Sequence, residues 1–248
     1  MRKLLPVVLA AILFLVAWKL VVVIGNYPPF ILPPPETVAA RFAKAWADGT
    51  MTPHALATLS EIALGLLVGA TSGIFVGYLL ARFTLAERLL SPYLVAAQAT
   101  PILALAPLLV LWLGTGLAPK VVICGLICFF PVAVATMVGI RAVDSRLLEL
   151  GRSLRATRWQ IVRYLELPGA LPQILGGLRV GATLAVIGAI VAEWAGADRG
   201  LGYLINLARG SLFDIPLMFA TLVTIALIGV LIYLAVVLLE RALVGSWR

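Results

Sequence analysis

Side chains that could carry out chemistry are scarce in this sequence. Cys124 and Cys128 lie four residues apart in the apolar run VVICGLICFF, and His54 is the sole histidine. A spacing of four places both thiols on one face of a helix. A metal or redox site is not indicated, because the sequence has neither a CxxC pair nor a Cys/His cluster. We therefore expect the cysteines to pack inside a helix, and we expect no metal site.

The sequence patterns of several enzyme classes are missing as well. Neither HExxH nor GxSxG occurs, and a single histidine leaves few groups for a catalytic dyad. The GxxxxGK[ST] pattern is also missing, so this chain does not bind ATP through a P-loop. We expect a protein that is not an enzyme and that holds no cofactor of its own.

The composition indicates an integral membrane protein. Hydrophobic residues make up 62% of the 248 residues, against about 45–50% in soluble domains, and the mean hydropathy is +1.10. A soluble core could not enclose this much apolar surface. The net charge of +8 is better explained by cytoplasmic loops than by nucleic acid, because the sequence has no zinc finger and no basic stripe with interleaved aromatics.

Six apolar runs have about the 20 residues that a helix needs to cross a bilayer. The predicted spans are Leu4–Ile24, Leu56–Leu80, Tyr93–Leu113, Val121–Ile140, Leu178–Ala195 and Leu217–Leu239. The first run follows Arg2 and Lys3 as a signal peptide would, but it is too long and no clear A-x-A cleavage site follows it. We expect it to be retained as a span.

The basic residues predict the orientation and the organisation of the chain. With the N-terminus inside, thirteen of the nineteen Lys and Arg residues fall on the inner side, which favours both termini in the cytoplasm. We divide the chain into 1–55, with one span and an outer interfacial helix capped by Thr37, and 56–248, with five spans. The loop at 141–175 is then cytoplasmic.

Two spans carry small residues at intervals of four. These are Gly65, Gly69, Gly73 and Gly77 in the second span, and Gly177 and Gly181 at and just inside the start of the fifth. Such rows let helix backbones approach closely, and in lipid this packing drives helix association. We expect both rows to be packing faces. Helices that slide along them during a conformational change are a compatible alternative.

The segment from Glu149 to Ile174 is a basic stretch between two apolar runs. Leucines at 147, 150 and 154 recur at i, i+3 and i+7, which predicts a short amphipathic helix. A second short helix is predicted from about Arg158 to Leu165, and Pro168 and Pro172 are expected to break the chain before the next span. These helices fit either a docking surface for a cytoplasmic partner or a helix bound to anionic lipid.

This segment resembles the cytoplasmic EAA loop in the permease subunits of ABC importers. In that family Glu-Ala-Ala is followed by a glycine and, further on, by Leu-Pro. Here Glu149-Leu150-Gly151 and Leu167-Pro168 occupy the two ends. The stretches VDSRLLE, LPQILGGLRVG, AEW and GLGYLI also look like the family, and the resemblance covers the chain from about Pro33.

Arg155 is the main departure from the family pattern, because it stands where the family has glycine. The family glycine makes a bend between the two short helices, and an arginine does not take φ > 0 cheaply. We therefore expect the turn to be built differently, or to be shifted along the chain.

The resemblance implies an all-α membrane protein of the type I ABC-importer permease class, with six transmembrane helices and two short cytoplasmic coupling helices. It implies a bacterial inner membrane, a second permease copy, two copies of a cytoplasmic ATPase that hold ATP and Mg²⁺, and an external substrate-binding protein. The ending YLINLARGSLFDIPLMFA looks most like permeases for thiamine-precursor pyrimidines or riboflavin. A permease for nitrate, sulfonate or taurine-type anions is the alternative.

The resemblance also indicates which residues touch the ATPase and transmit its closure to the spans. These candidates are Glu149, Arg152, Leu154, Arg155, Arg158 and Trp159. Trp159 would supply an apolar anchor. For Glu149 a local ion pair with Arg146 or Arg152 is the alternative, and it is worth little when exposed.

Three residues are candidates for the translocation pathway. Gln98 and Pro101 lie in the third span, where a proline can bend the helix beside a pathway or merely for packing. Glu193 ends the fifth span, where it is either solvated or in contact with a gate or the binding protein. A secondary transporter or channel would need ionisable groups at mid-membrane, and the span centres contain essentially none.

Overall fold

The computed structural model describes residues 5–245, and within this range the chain is almost entirely helical and has no strand. The helices are α1 Leu5–Ile24, α2 Pro35–Ala47, α3 Met51–Arg82, α4 Thr84–Ala99, α5 Ile102–Leu113, α6 Leu117–Arg141, α7 Ser145–Ser153, α8 Arg158–Ile161, α9 Leu167–Gly196, α10 Leu201–Gly210 and α11 Ile215–Gly245. A π-helical turn, Val162–Glu166, connects α8 to α9. Arg2, Lys3, Leu4 and Arg248 of the predictions above lie outside the described residues.

Four helices in the described range are long and apolar enough to cross a membrane. They are α3, α6, α11 and the continuous helix Arg158–Gly196. Val8–Ile24 and Ala104–Leu113 are shorter apolar helices, so the predicted count of six spans is not confirmed. The predicted third span is two helices, because Thr100 and Pro101 both have extended backbone conformations. A proline disfavours the helical conformation in the residue before it.

The predicted chain break at Pro168 and Pro172 is wrong. Pro168 lies in the first turn of α9 and Pro172 lies inside the helix. In the preceding π turn, the backbone N–H of Leu167 bonds to the carbonyl of Val162, five residues back. This wider turn shifts the hydrogen-bonding pattern just before Pro168. The helix therefore continues although Pro168 has no backbone N–H to donate. The second short helix therefore continues directly into the long apolar helix.

The helix α2 begins earlier than the sequence suggested. Pro35 is its first residue, and Pro34 occupies the N-cap without a side-chain hydrogen bond. Proline suits the first turn because the backbone N–H there has no helical partner. Thr37 therefore lies inside the helix, and the prediction that it caps α2 is wrong.

The described chain forms two compact units. The smaller unit holds the residues up to Ala57 together with Asp198–Ala226. Within it, the Arg41 guanidinium donates to the Asp214 carboxylate at 2.7 Å. The backbone N–H of Gly200 donates to Nδ1 of His54 at 3.1 Å, so the sole histidine takes part in a structural contact.

The larger unit, which holds Thr58–Ala197 and the chain from Leu227 onward, is built around α6. The helix α9 lies along one side of α6. A Cβ at Gly177 would lie 2.4 Å from Ala135 Cβ, and one at Gly181 would lie 2.8 Å from Cys128 Sγ. Only a residue without a side chain fits these two positions.

The helix α3 lies against another side of α6 through its own glycine row. A Cβ at Gly65 would lie 2.2 Å from Cys124 Cβ, and one at Gly69 would lie 2.4 Å from the Gly125 carbonyl oxygen. Cβ atoms at Gly73 and Gly77 would lie 2.8 Å and 2.3 Å from backbone oxygens of α6. Both cysteines are buried, and α6 is held by glycine contacts to two neighbours.

We predict that Gly69→Leu destabilises the protein, because the new side chain meets a backbone oxygen that cannot rotate away. Overpacking of this kind costs about 1–3 kcal/mol. Gly229→Leu on α11 is the matched control, since a Cβ there meets no atom within 4 Å. Thermal unfolding of the two variants in lipid nanodiscs measures the effect, and equal melting temperatures would contradict the close contact.

Candidate functional site

Local capping interactions build the segment between α6 and α9. Asp144 is the N-cap of α7, and its Oδ1 accepts the backbone N–H of Arg146 at 2.8 Å. Thr157 and Gln160 form a capping box at α8. The Thr157 hydroxyl accepts from the Gln160 backbone at 3.3 Å, and the Gln160 side chain accepts from the Thr157 backbone at 2.7 Å. Each helix start is therefore encoded by adjacent residues.

The turn between α7 and α8 has Arg155 at its centre, with φ +56°. The backbone N–H of Arg155 bonds to the Arg152 carbonyl at 2.9 Å, and that of Ala156 bonds to the Gly151 carbonyl at 3.0 Å. These two bonds define a Schellman motif, in which the residue after the C-cap is left-handed and is usually glycine. The C-cap here is Leu154.

The expectation of a shifted or differently built turn is therefore wrong. The bend occurs at the residue that aligns with the family glycine, and the arginine adopts the conformation that glycine would adopt. A left-handed conformation costs a residue with a Cβ about 1–2 kcal/mol. The backbone bonds on both sides of Arg155 hold it in this conformation.

Large apolar side chains are exposed along this segment, which is otherwise highly charged. Leu154 is 74% exposed and Trp159 is 67% exposed. We call the exposed apolar surface of α7 and α8 the coupling face, and it consists of Leu147, Leu150, Leu154 and Trp159. Gly151 faces the other way, since a Cβ there would lie 2.9 Å from Leu165 Cδ1. An exposed apolar face of this size is typical of a surface that binds a partner.

All six residues predicted to touch a partner are exposed at this segment. Arg152 and Arg158 also line a cavity of about 390 Å³ together with residues of α3 and α8. In residues 5–245 no salt bridge joins Glu149 to Arg146 or Arg152. The alternative of a local ion pair at Glu149 is therefore not what the structure contains.

One ion pair with a buried carboxylate near this segment was not anticipated from the sequence. Glu166, the last residue of the π turn, is 0% exposed and forms a salt bridge with Arg82 at the end of α3. The Tyr78 hydroxyl donates to the same carboxylate at 3.4 Å. Tyr78 and Arg82 are one helical turn apart, so the sequence could have shown that they share a face of α3. The π turn that points Glu166 inward could not be read from the sequence. The pair connects α3 to the base of α9.

A second charged contact lies near the same helix ends. Arg141, the last residue of α6, donates to both carboxylate oxygens of Glu87 at 2.8 and 2.7 Å and to the Leu80 carbonyl at 2.9 Å. The Arg141 guanidinium holds the pKa of Glu87 below its ordinary value. The pair is intact above the ordinary pKa of glutamate and is lost as the pH falls through the lowered pKa.

A groove of about 800 Å³ opens along α6 and α9 in the larger unit. Its polar side chains are the amides of Gln98 and Gln173, and its other lining residues are Ile102, Ile127, Phe130, Pro131, Val134, Ala135, Val138, Gly176, Gly177, Val180 and Leu184. Gln98 lines this groove, and its role in the translocation pathway stays a prediction. Pro101 does not line the groove, and it is the N-cap of α5 at the break after α4.

Glu193 lies away from this groove. It is 2% exposed, and the Thr58 hydroxyl donates to its Oε1 at 2.5 Å. Of the two alternatives for Glu193, the solvated carboxylate is therefore wrong, and its role in the pathway stays a prediction. Glu61 and Lys120 are buried nearby and form a second contact, with Nζ 2.7 Å from Oε1. Glu61 lies one turn before Gly65 on the row that faces α6, and this spacing was a signal for its burial.

Comparison with known proteins gives a consistent result. A family model described as binding-protein-dependent transport system inner membrane component matches residues 69–245. The riboflavin transport system permease protein RibX of Chloroflexus aurantiacus is 46% identical over 97% of this chain and 88% of its own length. The formylaminopyrimidine transport permease protein ThiX of Halalkalibacterium halodurans is 36% identical over 96% of this chain and 93% of its own length.

Two further similarities are more distant. The taurine transport system permease protein TauC of Escherichia coli is 32% identical over 92% of this chain and 85% of its own length. A chain of the inward-facing MetNI methionine ABC transporter superposes with a TM-score of 0.69 and 22% identity, and it covers 78% of this chain and 95% of that chain. The second likeness concerns the fold alone.

We predict that Arg155→Gly raises the melting temperature and Arg155→Val lowers it. Glycine adopts φ > 0 without strain, so the first change relieves up to about 1–2 kcal/mol. A β-branched residue at this φ is a conformational outlier. Both variants remove the same charge, so they form a matched pair for thermal unfolding in nanodiscs. If the two melted at the same temperature, the turn would not depend on the left-handed residue.

Proposed function

Since this chain belongs to the family of binding-protein-dependent transport system inner membrane components and is the permease subunit of an ABC importer, we propose that it imports an uncharged vitamin precursor of the riboflavin or thiamine-pyrimidine type. The observation that carries the proposal is the chemistry of the groove. Its lining has two amide side chains and otherwise apolar groups, and it has no charged side chain.

A groove of this kind suits a planar, hydrogen-bonding solute. The amides of Gln98 and Gln173 can both donate and accept, as the edges of an isoalloxazine or pyrimidine ring require, and Phe130 offers an aromatic surface. An anion would lose its hydration there without a cation in return. The similarity to RibX and ThiX supports the same cargo class.

Transport of a nitrate, sulfonate or taurine-type anion is the second candidate. Its support is the 32% identity to a taurine permease and the 36% identity to a putative aliphatic sulfonate permease of Bacillus subtilis. In that case the binding protein alone would select the cargo, and the groove would pass the anion in a hydrated state.

ABC importer permeases work with ATPase and substrate-binding partners. We propose the specific assembly of two copies of this chain, two cytoplasmic ATPase subunits that hold ATP and Mg²⁺, and one external binding protein, with both termini of this chain in the cytoplasm. The exposed coupling face supports an ATPase contact, because these apolar side chains lie on a charged segment that is unsuited to the lipid interior.

The geometry supports a route by which ATPase closure reaches the groove. The helix α8, the π turn and α9 are continuous, so a push on the coupling face displaces α9 without a flexible joint. Residues of α9, among them Gln173 and Val180, line the groove. The Arg82–Glu166 pair passes the same displacement to α3. Access to the groove would then alternate between the two sides of the membrane.

A secondary transporter or channel is the candidate from another class. Such a protein would carry its coupling-ion or selectivity groups along the pathway, and the groove lining has no ionisable residue. Transport that persists without an ATPase subunit would favour this class.

We predict that Leu154→Ala with Trp159→Ala uncouples ATP hydrolysis from import while insertion into the membrane is retained. Loss of two exposed anchors costs about 2 kcal/mol or more of docking free energy, which is on the order of thirtyfold in affinity. Leu231→Ala with Leu238→Ala on α11 removes similarly exposed apolar side chains and is the control. ATPase and uptake rates in proteoliposomes with both partners measure the effect, and unchanged uptake would exclude the coupling face.

We also predict that proteoliposomes holding the permease, its ATPase and its binding protein take up riboflavin or a formylaminopyrimidine but not taurine. Uptake should require ATP, and Gln98→Leu with Gln173→Leu should lower its rate by about tenfold or more, because each buried polar edge of the cargo loses a partner. Val180→Leu, a groove change that keeps the amides, is the control. Uptake of taurine but not riboflavin would overturn the proposed cargo.

A further inference from the structure

The cavity of about 390 Å³ beside α7 and α8 has a strongly basic lining. Three helices contribute one arginine each, since Arg82 ends α3, Arg152 lies in the last turn of α7 and Arg158 begins α8. The other described residues that line it are Tyr78, Phe83, Ile161 and Val162, and none of these is acidic. The import mechanism proposed above assigns no ligand to this cavity.

The positive charge of this cavity is only partly balanced. Glu166 forms a salt bridge with Arg82, whereas Arg152 and Arg158 form no salt bridge with any residue of the described range 5–245. Three guanidinium groups and one carboxylate leave a formal surplus of two positive charges. Like charges around one cavity repel each other and attract an anion into it.

The acidic residues of the neighbouring helices do not remove this surplus. Glu87, in the first turn of α4, accepts hydrogen bonds from Arg141 on both of its carboxylate oxygens. Glu149 lies on α7, but no salt bridge joins it to Arg152. An anion from outside the described chain is therefore the group that would complete the charge balance.

The position and chemistry of the cavity favour a phosphate group as that anion. Arg82 is the last residue of α3, a helix long and apolar enough to cross a membrane, and a basic residue at the end of a span lies at the level of the lipid headgroups. Basic pockets at the cytoplasmic ends of spans suit phospholipid headgroups. Guanidinium groups match phosphate well, because two of their N–H donors can bind two phosphate oxygens at once.

We propose that this cavity binds one phosphate group through Arg152 and Arg158, with Arg82 as a third positive charge. The group is the headgroup of an anionic phospholipid or a free phosphate ion. When bound, it joins α7 and α8 to the end of α3 by ionic contacts, in addition to the Arg82–Glu166 pair. The binding is separate from the import proposed above and needs neither the cargo nor the ATPase.

Binding to the full chain in an uncharged detergent tests the two sources separately. Native mass spectrometry measures phosphatidylglycerol against phosphatidylcholine, whose headgroup has no net charge, and calorimetry measures inorganic phosphate. Arg152→Gln with Arg158→Gln should weaken the binding of the anionic probe by about tenfold or more. Arg146→Gln with Arg163→Gln is the control, because it removes the same charge from exposed residues that do not line the cavity, and it should bind as the wild type does.

The outcomes decide both the proposal and the source of the phosphate. Saturable binding that is lost in the cavity variant and kept in the control supports the proposal, and the probe that binds identifies the source as a lipid headgroup or free phosphate. Equal losses in the two double variants would indicate a diffuse basic surface and would overturn the proposal. Binding of neither probe would also overturn it, and the arginines would then be left for an acidic surface of a partner protein.

A change on the opposite wall of the cavity tests the site while every arginine is kept. Phe83, the N-cap of α4, lines the cavity, so Phe83→Glu supplies a carboxylate that competes with phosphate for the guanidinium groups. It should weaken binding by about tenfold or more, whereas the uncharged Phe83→Gln should retain it. This pair decides the question even if the arginine variants do not fold. If Phe83→Glu bound the probe as tightly as Phe83→Gln, the cavity would not be the site.

Discussion

The close approach of α6 to both α3 and α9 is the constraint on which the larger unit depends. In lipid the hydrophobic effect does not bring helices together, so contact depends on how nearly their backbones can touch. A Cβ at Gly69 would lie 2.4 Å from a carbonyl oxygen of α6, and one at Gly177 would lie 2.4 Å from Ala135 Cβ. Because these contacts leave no room for a side chain at the glycine positions, they set how close the three helices lie, and the charged contacts between the helices form at that distance.

Two groups of polar and charged side chains, each with a buried carboxyl group, join these helices at opposite ends of α3 and α9. At one end the Arg82–Glu166 pair joins α3 to the π turn below α9. At the other end Lys120 donates to Glu61, and Thr58 donates to Glu193. Buried charges are costly unless their partners are held in place, and close helix packing provides that. The residues that line the groove beside α9 are uncharged, so these charged contacts lie away from it.

In the segment between α6 and α9, some features follow from local sequence signals and others depend on long-range packing. Asp144 and Thr157 cap their helices through bonds to residues two and three positions away, and such signals are legible in the sequence. The sequence also located the bend, but it gave the wrong expectation for Arg155. The general preference against φ > 0 for residues with a Cβ is an average over many proteins. In this protein the hydrogen bonds of the Schellman motif hold Arg155 at φ +56°. The helix through Pro168 was missed for a similar reason, since a π turn has no sequence signature of its own.

Composition and the apolar runs by themselves determined that this is a helical membrane protein, and the motif around Glu149 indicated an importer permease. Glycine spacing pointed to the packing faces, because a helix repeats its faces every 3.6 residues. Only the tertiary structure decided which charges meet. Glu61 and Lys120 form a hydrogen bond although they are 59 residues apart in the chain. Glu166 and Arg82 form an ion pair between different helices. Periodicity specifies which face a residue occupies, but the partner on the facing helix depends on the depth and rotation at which two helices pack, and these are set by side-chain volumes summed over the whole contact.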